Sequence, residues 1–171
     1  MQRTDSKIAD LANGVATSGC KTVLGFNEPD HAEQAHMSPS QAVTLWKQHI
    51  QPLKNKGIAL GAPAVSSGPS AIHWYGTSIT EFKSYVEKVH NIYPSKPIWV
   101  TEFACISPAS LSEVSAFLEK AMPWLDSQSY VAKYSWFGAM PQNLVNSYVG
   151  QNAALMDNNG QLTSLGKLYA S

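Results

Sequence analysis

Apolar residues follow two spacings along the chain. Short continuous apolar runs are separated by stretches in which apolar residues recur every three or four positions. The first spacing marks buried strands and the second marks amphipathic helices. Their alternation predicts βα units around a parallel sheet. The first predicted helix covers residues 4–18, with Ile8, Leu11 and Val15 on one face. Thr22-Val23-Leu24-Gly25-Phe26 predicts a buried strand, ended by Asn27-Glu28-Pro29-Asp30. The next helix is signalled by Ser38 at the cap, Pro39 in the first turn and Gln41 completing a capping box. Val43, Trp46, Ile50 and Leu53 then recur at helical spacing, and Gly57 stops the helix.

Ile58 to Ala62 predicts a second strand, followed by a loop rich in Pro, Ser and Gly through Ser70. Ala71 to Tyr75 predicts a third. Ser78 with Glu81 makes another capping box, ahead of a helix whose face is Ile79, Phe82, Val86 and Val89. Pro97 to Glu102 predicts the fourth strand, running into Phe103. Ser110 with Glu113 caps a helix carrying Val114, Phe117, Leu118 and Met122. Val131 to Phe137 predicts the fifth strand, and a short helix closes the chain near Thr163 to Tyr169. One interval breaks the pattern. Leu60 and Ile72 are only about a dozen residues apart with no helical period between them, whereas a βαβ unit takes roughly 30. A crossover helix, with the front of the following strand, is therefore expected to be missing around Ser66 to Ser70.

Composition narrows the function classes. Of 171 residues 44% are hydrophobic and 14% charged, and 12 basic residues cancel 12 acidic ones. With no charge run, nucleic acid and membrane surfaces are not expected partners, and neutrality suits an uncharged substrate. Cys20 and Cys105 are too few for a disulfide framework, and spacing leaves their pairing open. No Cys/His cluster has metal-ligand spacing, and His31 and His36 read as loop or surface residues, so neither metal nor cofactor is expected. The opening MQRTDSKIADLANGV has no long apolar core and thus no secretory signal, and no apolar run is long enough to span a membrane.

Two predicted strands end in a carboxylate: Glu28 after Gly25-Phe26-Asn27, and Glu102 after Trp99-Val100-Thr101. In a barrel of parallel strands the C-terminal rim carries the active site. Glycoside hydrolysis needs two carboxyl groups, one to protonate the leaving oxygen and one to attack the anomeric carbon or activate a water. Either Glu alone reads as a surface residue, and only the pair is specific. Trp74 and Trp99 read as packing residues. His73 stands open between a satisfied core histidine and a site residue.

GFNEPD and WVTEFAC, with GAPAVS, HWYG and YSWFG in order, resemble glycoside hydrolase family 128, from about Val23 to the C-terminus. The resemblance implies an α/β fold, a (β/α)8 TIM barrel of the retaining clan, and hydrolysis of β-1,3-glucan, mainly in fungal cell walls. It implies Glu28 as general acid/base and Glu102 as nucleophile. Asn27 would hydrogen-bond the sugar 2-hydroxyl, and His73 and Tyr75 would line the site. Tyr75 would hold Glu102 as the carboxylate, and Trp136 would be a stacking platform for a sugar ring. The first strand matches strand four of that barrel, so residues 1–171 are expected to form a partial catalytic domain of about strands four to eight. A secreted or cell-wall monomer acting on a polysaccharide is the family expectation. An inactive glycan-binding or structural remnant is the alternative.

Overall fold

A computed structural model describes residues 11–65 and 71–171. The start of the first predicted helix and the Ser66 to Ser70 interval, where a crossover is expected to be missing, lie outside the described residues. The chain divides into two compact units, Met1–Ile72 and His73–Ser171.

In the first unit, α1 (Leu11–Ser18) precedes β1 (Thr22–Leu24), which pairs in parallel with β2 (Ala59–Gly61). Val15, Val23, Ile50 and Leu53 form the buried cluster, with Leu11, Phe26, Trp46, Ile58 and Leu60 against it. The predicted single helix between the strands is three segments. An α-helical part, α2 (Pro39–Leu45), is followed by a π turn over Trp46–Ile50 and a 3-10 turn over Gln51–Lys56. Pro52 accounts for the change. It has no N–H to donate, and its ring crowds the carbonyl four residues back, so the α ladder gives way to wider and tighter turns on either side. The capping box forms as expected: the Ser38 hydroxyl accepts from the Gln41 N–H, and Gln41 accepts from the Ser38 N–H. Val43, expected on the buried face, is 52% exposed. A short strand that the sequence pattern missed, β3 (Ala64–Val65), pairs in parallel with Ala71 and Ile72 at the start of β4 (Ala71–Tyr75).

In the second unit, the remainder of β4 lies beside β5 (Ile98–Ala104), and β5 pairs in parallel with β6 (Val131–Trp136). Helices α3 (Ile79–Ile92) and α4 (Leu111–Ser127) connect these strands, and α5 (Ser164–Tyr169) closes the chain. Phe82, Val86 and Val89 of α3 are buried, as are Val114, Phe117, Leu118, Ala121 and Leu125 of α4. The capping box of Ser110 and Glu113 is complete, and these bonds hold the Glu113 carboxyl below its ordinary range. At Ser78 only the hydroxyl half is seen, accepting from the Glu81 N–H.

An aromatic layer joins these elements. Trp74 stacks on Phe117 at 5.4 Å and meets Phe82 edge-on at 5.1 Å; Phe103 stacks on Phe82 at 5.2 Å and meets Trp136 edge-on at 5.1 Å. Such pairs contribute about 0.5–1.5 kcal/mol each beyond area burial. Trp74 is therefore a packing residue, as expected. Trp99 differs: it is only half-buried, while Val100 beside it is fully buried, and the Lys133 ammonium lies 5.0 Å over its ring.

Both cysteines are free thiols, Cys20 exposed and Cys105 buried. Burial, with a smaller push from Glu113, raises the Cys105 thiol to about 12. Only the thiolate reacts. Native protein should therefore release one equivalent of chromophore from an aromatic disulfide reagent at neutral pH, and a second only in denaturant. Two fast equivalents without denaturant would show Cys105 to be accessible.

Among the described residues, no helix is long and apolar enough to cross a membrane.

Candidate active site

Glu28 belongs to the first unit, and its position is set by backbone. Beyond β1 the chain runs alongside β3: the Ala64 N–H donates to the Phe26 carbonyl at 3.0 Å, and the Glu28 N–H donates to the Ala64 carbonyl at 2.6 Å. Gly25 permits this approach, since a Cβ there would sit 2.7 Å from the Pro63 nitrogen. Glu28 itself takes a left-handed conformation at φ 41°. That conformation is strained for a non-glycine residue, and strain of about 1–3 kcal/mol is characteristically stored at functional sites. His36 shares the left-handed conformation, at φ 38°, so strain alone does not single out Glu28. Glu28 lies beyond the end of β1, where its backbone is tied to Ala64. Asn27 is half-buried, and its side-chain amide donates to the Gln34 carbonyl oxygen at 3.4 Å, which holds it beside Glu28.

In the second unit three of the expected residues come together. His73 and Tyr75 are two residues apart on β4 and so share a face. The Tyr75 hydroxyl donates to a Glu102 carboxylate oxygen at 2.5 Å, and His73 Nδ1 lies 3.4 Å from the same oxygen. The end of β4 is tied to the end of β5 by the Gly76 N–H donating to the Ala104 carbonyl at 3.2 Å, which fixes their relative height. His73 is buried and Glu102 about a quarter exposed, so one carboxylate oxygen is gripped while the group stays partly open to solvent. Short bonds to an ionised oxygen are among the stronger hydrogen bonds, about 1.5–3 kcal/mol.

Trp136 requires a correction. Expected as a sugar platform, it is 2% exposed, and its indole N–H donates to the Ala153 carbonyl at 2.8 Å. Its ring is wedged among Phe103 and Phe117 in the aromatic layer and offers no face to a sugar. The reason is strand parity: successive residues point to opposite faces, and Trp136 is on the helix-covered one. Its neighbour Phe137 takes the other side, half-buried and edge-on to Tyr75 at 5.7 Å. A second ring, Tyr148, lies 5.7 Å from Tyr75 and is 57% exposed. Sequence reasoning missed Tyr148, which lies in a loop with no period to mark it.

Residues 1–169 match the family model described as glycosyl hydrolase catalytic core. The fold is similar to a family 128 (subgroup VI) exo-β-1,3-glucanase from Aureobasidium namibiae, with TM-score 0.84 and 27% identity, covering 94% of this chain and 71% of that one. It is also similar to a family 128 (subgroup IV) endo-β-1,3-glucanase from Lentinula edodes, with TM-score 0.83 and 31% identity, covering 94% and 74%. The chain belongs to glycoside hydrolase family 128. A curated relative is alkali-sensitive linkage protein 1 of Schizosaccharomyces pombe, 31% identical over 197 aligned positions. The match takes in all of this family 128 chain and 36% of that relative's length. The α/β character expected from the sequence, with parallel strands and covering helices, is the one found in the family 128 structures.

Proposed function

We propose that this protein hydrolyses β-1,3-glucan by a retaining mechanism, with Glu28 as general acid/base and Glu102 as nucleophile. The observation that carries the reading is the Glu102 carboxylate near the end of β5, gripped by Tyr75 and approached by His73, in a chain whose similar solved structures include β-1,3-glucanases. In the first step Glu102 forms a bond to the anomeric carbon while Glu28 gives its proton to the departing glycosidic oxygen. In the second, Glu28 takes a proton from water, which attacks the same carbon and frees Glu102. Retention needs the two carboxyls about 5–5.5 Å apart. Asn27, beside the acid, suits a hydrogen bond to the sugar 2-hydroxyl, a contact that strengthens in the transition state. Side chains and water supply the whole reaction.

On the same reading, residues 1–171 are part of a (β/α)8 barrel catalytic domain, working as a monomer outside the cell or in its wall on a neutral polysaccharide. The alternative reading is a glycan-binding or structural remnant without turnover. Incubation with laminarin, curdlan, carboxymethyl cellulose and chitosan separates the readings. Reducing ends released from laminarin and curdlan, with the β-anomer formed first by NMR, are expected. Initial formation of the α-anomer would remove Glu102 as nucleophile, and glucan binding without turnover would establish the remnant.

Tyr75→Phe removes only the hydroxyl that grips Glu102. The fold should survive, because the ring keeps its edge contacts with Phe137 and Tyr148. Loss of one bond to a charged oxygen should lower kcat by about 10- to 100-fold with little change in KM. A rise in KM at unchanged kcat would make Tyr75 a substrate-binding residue instead.

A further inference from the structure

Beyond the Glu102 cluster, the second unit has a hollow of about 330 Å³ bounded by Ser107 to Ala109 after β5 and Val149 to Asn152 after β6. We propose that this hollow is a secondary sugar subsite, holding one glucosyl unit of a glucan chain that runs from Glu102 past Tyr75 and Tyr148. The proposal rests on the glucan reading above and extends it to residues that reading does not use.

Position is the first argument. The Tyr75 hydroxyl touches Glu102, the Tyr75 ring lies 5.7 Å from that of Tyr148, and the Tyr148 carbonyl accepts from the Ser107 N–H at 2.8 Å. The hollow is thus the next feature along a continuous path from the carboxylate. Tyr148, more than half exposed, supplies an aromatic face between the two.

The lining is the second argument. No acidic or basic side chain borders the hollow, so neither an anion nor a metal ion finds a charged partner there. Pro108 and Val149 give an apolar surface for sugar C–H groups. The Ser107 hydroxyl and the Gln151 and Asn152 amides give donors and acceptors for sugar hydroxyls. Among the described residues, neither the Ser107 hydroxyl nor the Gln151 amide has a partner within the protein. Asn152 is already oriented, its amide donating to the Ala109 carbonyl at 2.9 Å. A mixed apolar and amide–hydroxyl lining of this size, at the low end for small-molecule sites, fits one neutral hexose ring.

Preorganisation is the third argument. The loop holding Val149 and Gly150 is closed on Asn146: the Val149 N–H donates to the Asn146 side chain at 2.9 Å, and the Gly150 N–H donates to the Asn146 carbonyl at 2.9 Å. Gly150 takes φ 83°, and a Cβ there would sit 3.3 Å from the Ser107 Cβ. A side chain would crowd the hollow, and glycine leaves it open.

The test titrates isotopically labelled full-length chain with laminaribiose and laminarihexaose, following backbone amide signals and the Gln151 and Asn152 side-chain amides by NMR. The hexaose should shift the signals of Gly150, Gln151 and Asn152, and the biose should shift only those near Tyr75 and Glu102. Gln151→Ala and Ser107→Val, both at exposed positions, should each weaken hexaose binding by about 5- to 10-fold and leave biose binding unchanged. Hexaose shifts confined to the Tyr75, Glu102 and Tyr148 signals, with both variants binding like wild type, would overturn the subsite and leave the glucan reading intact. No shift anywhere with the hexaose would overturn both.

Discussion

Glu102→Ala should reduce glucan hydrolysis below detection, and Glu28→Ala should reduce it by roughly 10²–10⁴-fold, the range for loss of a general acid. The two variants should differ in how they are rescued. Without Glu102 no glycosyl-enzyme forms, so an activated aryl glucoside is no better a substrate than laminarin. Without Glu28 the nucleophile remains, and a good leaving group needs no proton. An activated substrate should then still load Glu102, and added azide should accept the glycosyl group in place of the water that Glu28 would have activated. The product should be the β-glycosyl azide, identified by NMR. Azide rescue of Glu102→Ala rather than Glu28→Ala, on retained configuration, would exchange the two roles. The Glu102 variant should fold normally, because the carboxylate is partly exposed.

Trp136→Ala should act on the fold rather than on sugar binding. The ring is buried, meets Phe103 edge-on at 5.1 Å and donates its N–H to the Ala153 carbonyl. Removing it leaves a cavity in the aromatic layer and an unsatisfied carbonyl. Truncating a buried Phe or Trp costs about 3–5 kcal/mol, against a total stability of about 5–15 kcal/mol for ordinary proteins. The melting temperature should fall by about 10 °C or more, or the protein should become insoluble. Phe137→Ala is the comparison. Phe137 is half-buried on the Tyr75 side, so its loss should cost less stability and weaken glucan binding more. A Trp136 variant that melts like wild type but binds glucan poorly would restore it as a platform.

Much of the local structure follows from the sequence alone, for reasons that act over a few residues. The capping boxes at Ser38 and Ser110 form because a hydroxyl and a carboxyl or amide three residues on satisfy each other's backbone N–H groups, whatever else the chain does. The faces of α3 and α4 follow from 3.6-residue spacing of Phe82, Val86 and Val89, and of Val114, Phe117 and Leu118. Strand β4 has the predicted bounds because an apolar run between turn signals has few alternatives. The approach of Tyr75 to Glu102, expected from the family motifs, is likewise present.

Other features were decided only by tertiary structure. Period-two alternation shows that Trp136 and Phe137 face opposite ways, but it does not say which way is inward. The pairing of β6 with β5, whose register shifts between Val100 and Phe103, settles it. That one-residue difference moves the large ring into the core and the smaller one beside Tyr75. Strand β3 is two residues long, too short to carry a period, and exists because its neighbours offer hydrogen bonds on both sides. Tyr148 and the hollow beside it lie in loops, where sequence has no repeat to betray position. Their placement comes from single long-range bonds, such as the Ser107 N–H to the Tyr148 carbonyl, that join segments about forty residues apart. Local chemistry and the family motifs thus marked the candidate acid, nucleophile and clamp, while packing across strands decided which aromatic ring is buried in the core.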